Sequence, residues 1–288
     1  MNKYLTLSAS ALLLSGLVLM TGCSSSSDGG TTPPTVATVP ANATVIDDNN
    51  AEPMVASIAT SLNAFDQALA VQTTPVMGLS AALDIVKPLI KNSSKNSGID
   101  LANGVAYSEG GACTDGGTFS VTGDETDDGT NYSDTFTATF SNCIEFDFTI
   151  DGTISGTFTE NYSTGGYTDN VTGSLSITIV SGTETIKVSF TGINFQESGN
   201  NFDGTYTTSQ ATFALVIEVN GTTQFAYLAE LTAPVVESSG GEFSCPESGT
   251  IKITGGNDTT AEGIYNGDGT MTIKANGAVV NPSAPCYN

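Results

Sequence analysis

The sequence predicts a mainly β fold, a curved antiparallel meander of roughly nine to eleven strands. Two short N-terminal helices are expected to pack on its apolar face. Three observations lead there. From about residue 105 the apolar residues recur with period two, as in Phe136, Ala138 and Phe140 set between Thr135, Thr137 and Thr139. The breaks carry turn dipeptides such as Asp128-Gly129, Asp151-Gly152, Gly165-Gly166, Asn220-Gly221 and Asn276-Gly277. Between the breaks no stretch is long or helical enough for a parallel crossover.

The N-terminus reads as a targeting segment over residues 1–22, outside the fold. Lys3 supplies the positive start, and Leu12 to Met20 form an apolar core too short to span a bilayer. Leu19-Met-Thr-Gly-Cys23 follows. This resembles the lipobox of bacterial lipoproteins. The resemblance implies cleavage before Cys23, its modification by diacylglycerol, and a lipid anchor of several acyl chains. Ser24 stands where this class uses aspartate for inner-membrane retention, so the implied destination is the outer membrane, on its periplasmic or cell-surface side. Residues 23–50 read as a lipidated flexible tether: Ser24 to Ser27, Gly29-Gly30, Pro33-Pro34 and Pro40 show no periodicity. Residues 51–288 are then a single domain.

Within that domain Met54, Ile58, Leu62, Phe65 and Leu69 recur at helical spacing, and Leu79, Leu83, Val86 and Ile90 repeat the pattern after Pro75. Lys87, Lys91 and Lys95 sit at the end of the second run, where cations oppose a helix's negative terminus. The strand runs follow: Ile144 to Ile150, Leu175 to Ile179, Ile186 to Phe190, 211–219, 225–231 and Met271 to Ala275. After Gly192 the apolar parity slips to Ile193 and Phe195, which predicts a bulge. A membrane-spanning barrel is not expected, because these runs are short and lack aromatic girdles.

Composition excludes whole chemistries. The chain of 288 residues has 30 acidic residues and 7 lysines, with no arginine, histidine or tryptophan. Histidine-based nucleophile systems and imidazole metal sites are therefore absent. The net charge of −23 repels nucleic acid.

One stretch occurs twice without a gap: Cys113-Thr-Asp-Gly-Gly-Thr-Phe-Ser-Val-Thr-Gly123 and Cys245-Pro-Glu-Ser-Gly-Thr-Ile-Lys-Ile-Thr-Gly255. Each copy is followed by one further cysteine, Cys143 or Cys286. In an oxidising compartment the repeat selects Cys113–Cys143 and Cys245–Cys286 as two structural disulfides. No Cys-x-x-Cys spacing points to redox work.

The acidic run Gly123 to Gly129 is the candidate metal site, with Asp124, Asp127 and Asp128 as oxygen donors for calcium. Thr135 stands where an EF-hand loop needs glutamate, and a solvated hairpin tip explains the run as well. The acids are expected mainly at turns and on the polar strand face, so no catalytic pair is assigned. The expectation is a non-enzymatic structural or interaction module with a protein partner in the cell envelope. The alternatives are a carrier of an acyl chain, in the manner of half-barrel lipid carriers, and a calcium-stabilised adhesive domain.

Overall fold

The computed structural model describes residues 36–63, 105–145, 148–237 and 245–286. The first element is α1 (Ala51–Asn63). Twelve strands follow: β1 (Val105–Ala112), β2 (Gly116–Asp127), β3 (Asn131–Glu145), β4 (Phe148–Asn161), β5 (Gly166–Ser181) and β6 (Glu184–Asn200). The series continues with β7 (Thr205–Val219), β8 (Thr222–Glu237), β9 (Ser248–Thr254), β10 (Thr260–Tyr265), β11 (Thr270–Ala275) and β12 (Ala278–Pro285). They form one antiparallel sheet in sequence order, each strand paired with the next. The mainly β meander is therefore as expected, with more strands. β1, β10 and β12 escape the sequence pattern because they carry glycine, proline and small residues where the others carry large apolar ones. The second expected helix lies outside the described residues.

The strands are not short. Those from β3 to β8 run 14 to 17 residues, roughly 50 Å at the usual rise. They read as shorter from sequence because glycines and bulges interrupt their alternation without ending them. Asp151-Gly152 is mid-strand in β4, not a turn. Gly152 has φ of +132°, and a β-carbon there would lie 2.3 Å from the Ser174 carbonyl oxygen of β5. Conversely, the expected strand from Ile144 to Ile150 is divided between the end of β3 and the start of β4. The bulge after Gly192 is present, with register shifts against both neighbouring strands and φ of +63° at Gly192.

One face of the sheet is apolar and buried. Val121, Phe136, Ile154, Leu175, Val188, Phe213, Tyr227, Ile251, Ile273 and Ala284 place every strand from β2 to β12 except β10 in one core, and Ala261 adds β10. α1 packs on β9, β10 and β11, burying Met54, Val55 and Ile58. The chain joins the fold before residue 50. Thr44 donates from its amide to the Ala226 carbonyl at 2.7 Å, and Ile46 is buried. The pair Val45-Ile46 is too short to show a period, so the tether reading runs a few residues too far.

The opposite face is polar. One row of register partners crosses eleven strands: Ser108, Thr122, Thr137, Ser155, Thr172, Asn194, Thr212, Glu230, Lys252, Glu262 and Lys274. Hydroxyls bond across it, Thr137 to Ser155 at 2.9 Å, and Thr139 to Thr153 at 3.1 Å in the next row. Apolar inside and polar outside is the reverse of a membrane-spanning barrel. No helix among the described residues is long and apolar enough to cross a membrane.

Candidate functional site

Chemistry concentrates at one end of the sheet. There two rows of positions on the apolar face carry polar groups in place of hydrocarbon. The inner row reads Glu125, Asp134, Phe158, Asp169, Glu197 and Thr208 across β2 to β7. The outer row, nearer the hairpin tips, reads Asp127, Tyr132, Glu160, Tyr167, Gly199, Tyr206 and Glu237 across β2 to β8. Strand alternation puts both rows on the core side, since each residue is two positions from a core residue or from the other row.

Aromatic rings separate the carboxylates. Tyr132, Phe158 and Tyr167 form a small cluster of their own, with Phe158 and Tyr167 stacked at 6.3 Å and Tyr132 tilted against Phe158 at 5.9 Å. The Tyr167 hydroxyl donates to Glu197 Oε1 at 2.9 Å, and the Tyr206 hydroxyl donates to Glu237 Oε2. Tyr167 needs a glycine beneath it, because a β-carbon at Gly199 would lie 2.7 Å from its ring. An open pocket of about 350 Å³ sits here, lined by Asn131, Tyr132, Glu160, Asn161, Tyr167 and Gly199 among others.

Burial and crowding set the protonation of this end. Burial pushes Glu237 up to about 7, Glu197 adds to the rise, and the bond from Tyr206 opposes it. Tyr206 is raised as well, by burial first and by the Glu237 charge second. The three described lysines do not help: Lys187, Lys252 and Lys274 each stand between residues of the core parity, on the other face. The arrangement gathers carboxyl groups and tyrosine hydroxyls on the core side, beneath a set of hairpin tips.

These inward acids are exceptions to the expectation that the acids sit mainly at turns and on the polar strand face. Asp134 is fully buried, and Glu125, Asp169 and Glu237 are nearly so. Parity carried the signal: Asp134 is in step with Phe136, Asp169 with Val171, and Glu197 with Phe195.

The candidate calcium donors do not share one face. Asp124 is on the exposed side of β2, in register with Thr135, while Asp127 is on the core side. Asp127 accepts from the Gly129 amide at 2.9 Å and from the Tyr162 hydroxyl at 3.1 Å. Asp128 accepts from the amides of Thr130 and Asn131 at 2.8 and 2.6 Å, which hold its carboxyl below its ordinary value. The structure brings Asp127 and Asp128 together as braces of their own tip.

Both disulfides are present, Cys113–Cys143 and Cys245–Cys286. Glu145 lies beside the first pair in a grouping that resembles a ligand set, but both sulfurs are committed to each other. Its carboxylate accepts instead from the Thr114 amide at 2.8 Å and hydroxyl at 2.7 Å. Cys23, the expected lipidation site, lies outside the described residues. No protein-family model, curated protein or solved structure matches the chain.

Proposed function

We propose that this protein is a non-enzymatic interaction module of the bacterial outer membrane, anchored by lipid at Cys23 and bound to a protein partner along the open edge of its sheet. In this reading the sheet curls around its own core, with α1 in the concavity. The carrying observation is the difference between the two sheet edges. β12 contains Pro282 and Pro285 and meets β11 through register shifts, features that blunt an edge against further pairing. β1 contains no proline and pairs with β2 in unbroken register from Val105 to Ala112. Among the described residues β1 has no strand on its other side. Ala106, Ser108, Gly110, Gly111 and Ala112 are exposed, so small side chains flank a run of backbone whose pairing is unbroken. Such an edge accepts an added strand through main-chain hydrogen bonds.

The carrier reading is less well supported. The core positions are filled by large side chains, with Phe190, Phe213 and Tyr227 all buried. Lipid attachment is tested by feeding cells an alkyne-tagged palmitate, which should label the native chain and not Cys23→Ser. The edge is tested by placing a photo-crosslinking residue at Ser108 in β1 or at Ser283 in β12 of the anchored protein. A protein adduct from position 108 and none from 283 is the expected result. Equal capture at both, or at neither, sinks the edge reading.

A further inference from the structure

Three hairpin tips meet above the acidic end of the sheet: Asp127–Asn131, Asn161–Gly166 and Asn200–Thr205. They are knitted into one surface. The Tyr162 amide donates to the Thr130 carbonyl at 2.8 Å, and the Asn201 amide to the Gly165 carbonyl at 2.8 Å. Side chains repeat the links: Asn161 Nδ2 to Asn131 Oδ1 at 2.8 Å, Asn200 Nδ2 to the Thr164 carbonyl at 3.0 Å, and Asn201 Nδ2 to Glu160 Oε1 at 2.7 Å.

This surface carries two aromatic rings that the fold leaves in solvent. Phe202 is 68 % exposed and Tyr162 is 41 % exposed. Every other exposed large apolar side chain among the described residues is a valine elsewhere. Neither ring is loose. Phe202 lies against Gly165 of the next tip, so closely that a β-carbon there would come within 2.7 Å of it. Tyr162 is held by its bond to Asp127. Rigid aromatics on tips otherwise built of Ser, Thr, Gly, Asn and Asp have the chemistry of a recognition surface. The tips carry Asp127, Asp128 and Asp203, Asp127 bonds Tyr162 and Glu160 bonds Asn201 beside Phe202, and none of the three tips contains a lysine. Asp128 and Asp203 are held below their ordinary values by their own turns, so the field stays negative down to acidic pH.

We propose that the three-tip surface is a second docking site, for a lysine- or arginine-bearing segment of a partner protein, whose cations sit against the faces of Phe202 and Tyr162 among the carboxylates of the tips. Aromatic faces attract cations, and the charge around these rings selects a basic partner over a neutral or acidic one. This site is formed by the hairpin tips and is distinct from the open main-chain groups of the β1 edge.

The test uses the full mature chain made soluble by Cys23→Ser, titrated into a fluorescent peptide of alternating lysine and glycine. Fluorescence anisotropy reads the affinity at low and at raised salt. Phe202→Ala and Tyr162→Ala should each weaken binding about three- to fivefold, with the ratio kept at raised salt. Phe202→Trp should bind at least as tightly as the native chain, Tyr162→Phe should keep most of the affinity, and Val279→Ala should change nothing. These retained-ring variants separate loss of the site from loss of folding. If both alanine variants bind as the native chain does, the attraction is only that of a highly acidic surface and the proposal fails. It fails also if a neutral oligosaccharide such as cellohexaose displaces the peptide, which would make the platform a sugar site.

Discussion

Cys245, just before β9, and Cys286, just after β12, flank strands three places apart in the sheet, yet their Cα atoms are 5.7 Å from each other. Flat neighbours at the usual spacing would put β9 and β12 about 14 Å apart. The chain entering β9 therefore passes the β10–β11 turn, where the Glu247 carbonyl lies against Gly267, to reach the end of β12. There the Cys286 amide donates to the Gly269 carbonyl at 3.1 Å, and the bridge closes the last four strands into a unit. Cys113–Cys143 differs: it ties the turn after the edge strand β1 to β3, two strands away. Each disulfide thus pins the end of an edge strand. Replacing Cys245 and Cys286 together by alanine should lower stability by about 4 kcal/mol in the chain-entropy model, read by urea unfolding. Hydrogen exchange in the variant should quicken first in β11 and β12. Uniform quickening across the sheet would contradict a local staple.

Glu237 gives the fold a pH dependence of unusual sign. Its folded pKa, about 7, lies above the ordinary carboxylate value near 4.3. The folded state therefore holds a proton that the unfolded state releases. The stabilisation is complete below the unfolded pKa and is lost as pH rises through about 7. Thermal unfolding between about pH 5 and 8 should show stability falling by up to about 3 kcal/mol. Glu237→Gln should flatten that slope. Tyr206→Phe removes a donor that favours the charged form, so it should move the loss to higher pH. An unchanged slope in Glu237→Gln would assign the titration to another member of the acidic end.

On the exposed face, Glu230, Lys252, Glu262 and Lys274 alternate in sign along one row from β8 to β11. Lys274 Nζ is 3.5 Å from Glu262, and Lys252 Nζ is 4.0 Å from Glu230. Each pair is about two-thirds covered, so each contributes little alone. The reversal Lys252→Glu would place three carboxylates side by side. That should cost about 1 kcal/mol in dilute buffer and much less near 1 M salt, where the Debye length falls to about 3 Å. A loss that salt does not reduce would point to packing of the lysine stem.

Much of this was legible in the sequence, and the gaps have physical causes. Strict alternation announced the core strands, and the repeated cysteine stretch gave the two disulfides, because local pattern and pairing logic are properties of sequence. The same rule failed at Ile144 to Ile150, where strand parity continues through a connection, and at Asp151-Gly152, whose glycine serves a close approach of β4 to β5. The acidic end was hidden because carboxylates at core parity were counted with the solvent face. The tip surface depends on Gly165 lying under Phe202 of another hairpin, a contact between residues 37 positions apart that no local window contains.

The seat of α1 rests on a missing side chain. Gly263 in β10 lies directly beneath the helix, and a β-carbon there would fall 2.3 Å from Val55 Cγ1 and 2.6 Å from Met271 Cε. Both obstructing atoms are side-chain ends, so Gly263→Ala should fold but with the helix displaced, at a cost of about 1–3 kcal/mol. Shortening the opposing residue tests whether that contact is the cause. Val55→Ala alone should destabilise by opening a gap, whereas in the Gly263→Ala background it should be nearly neutral or should restore stability. Urea unfolding of the four chains gives the coupling directly. Additive losses would show that α1 is held by Met54, Ile58 and the rest of the core, with Gly263 conserving no space for it.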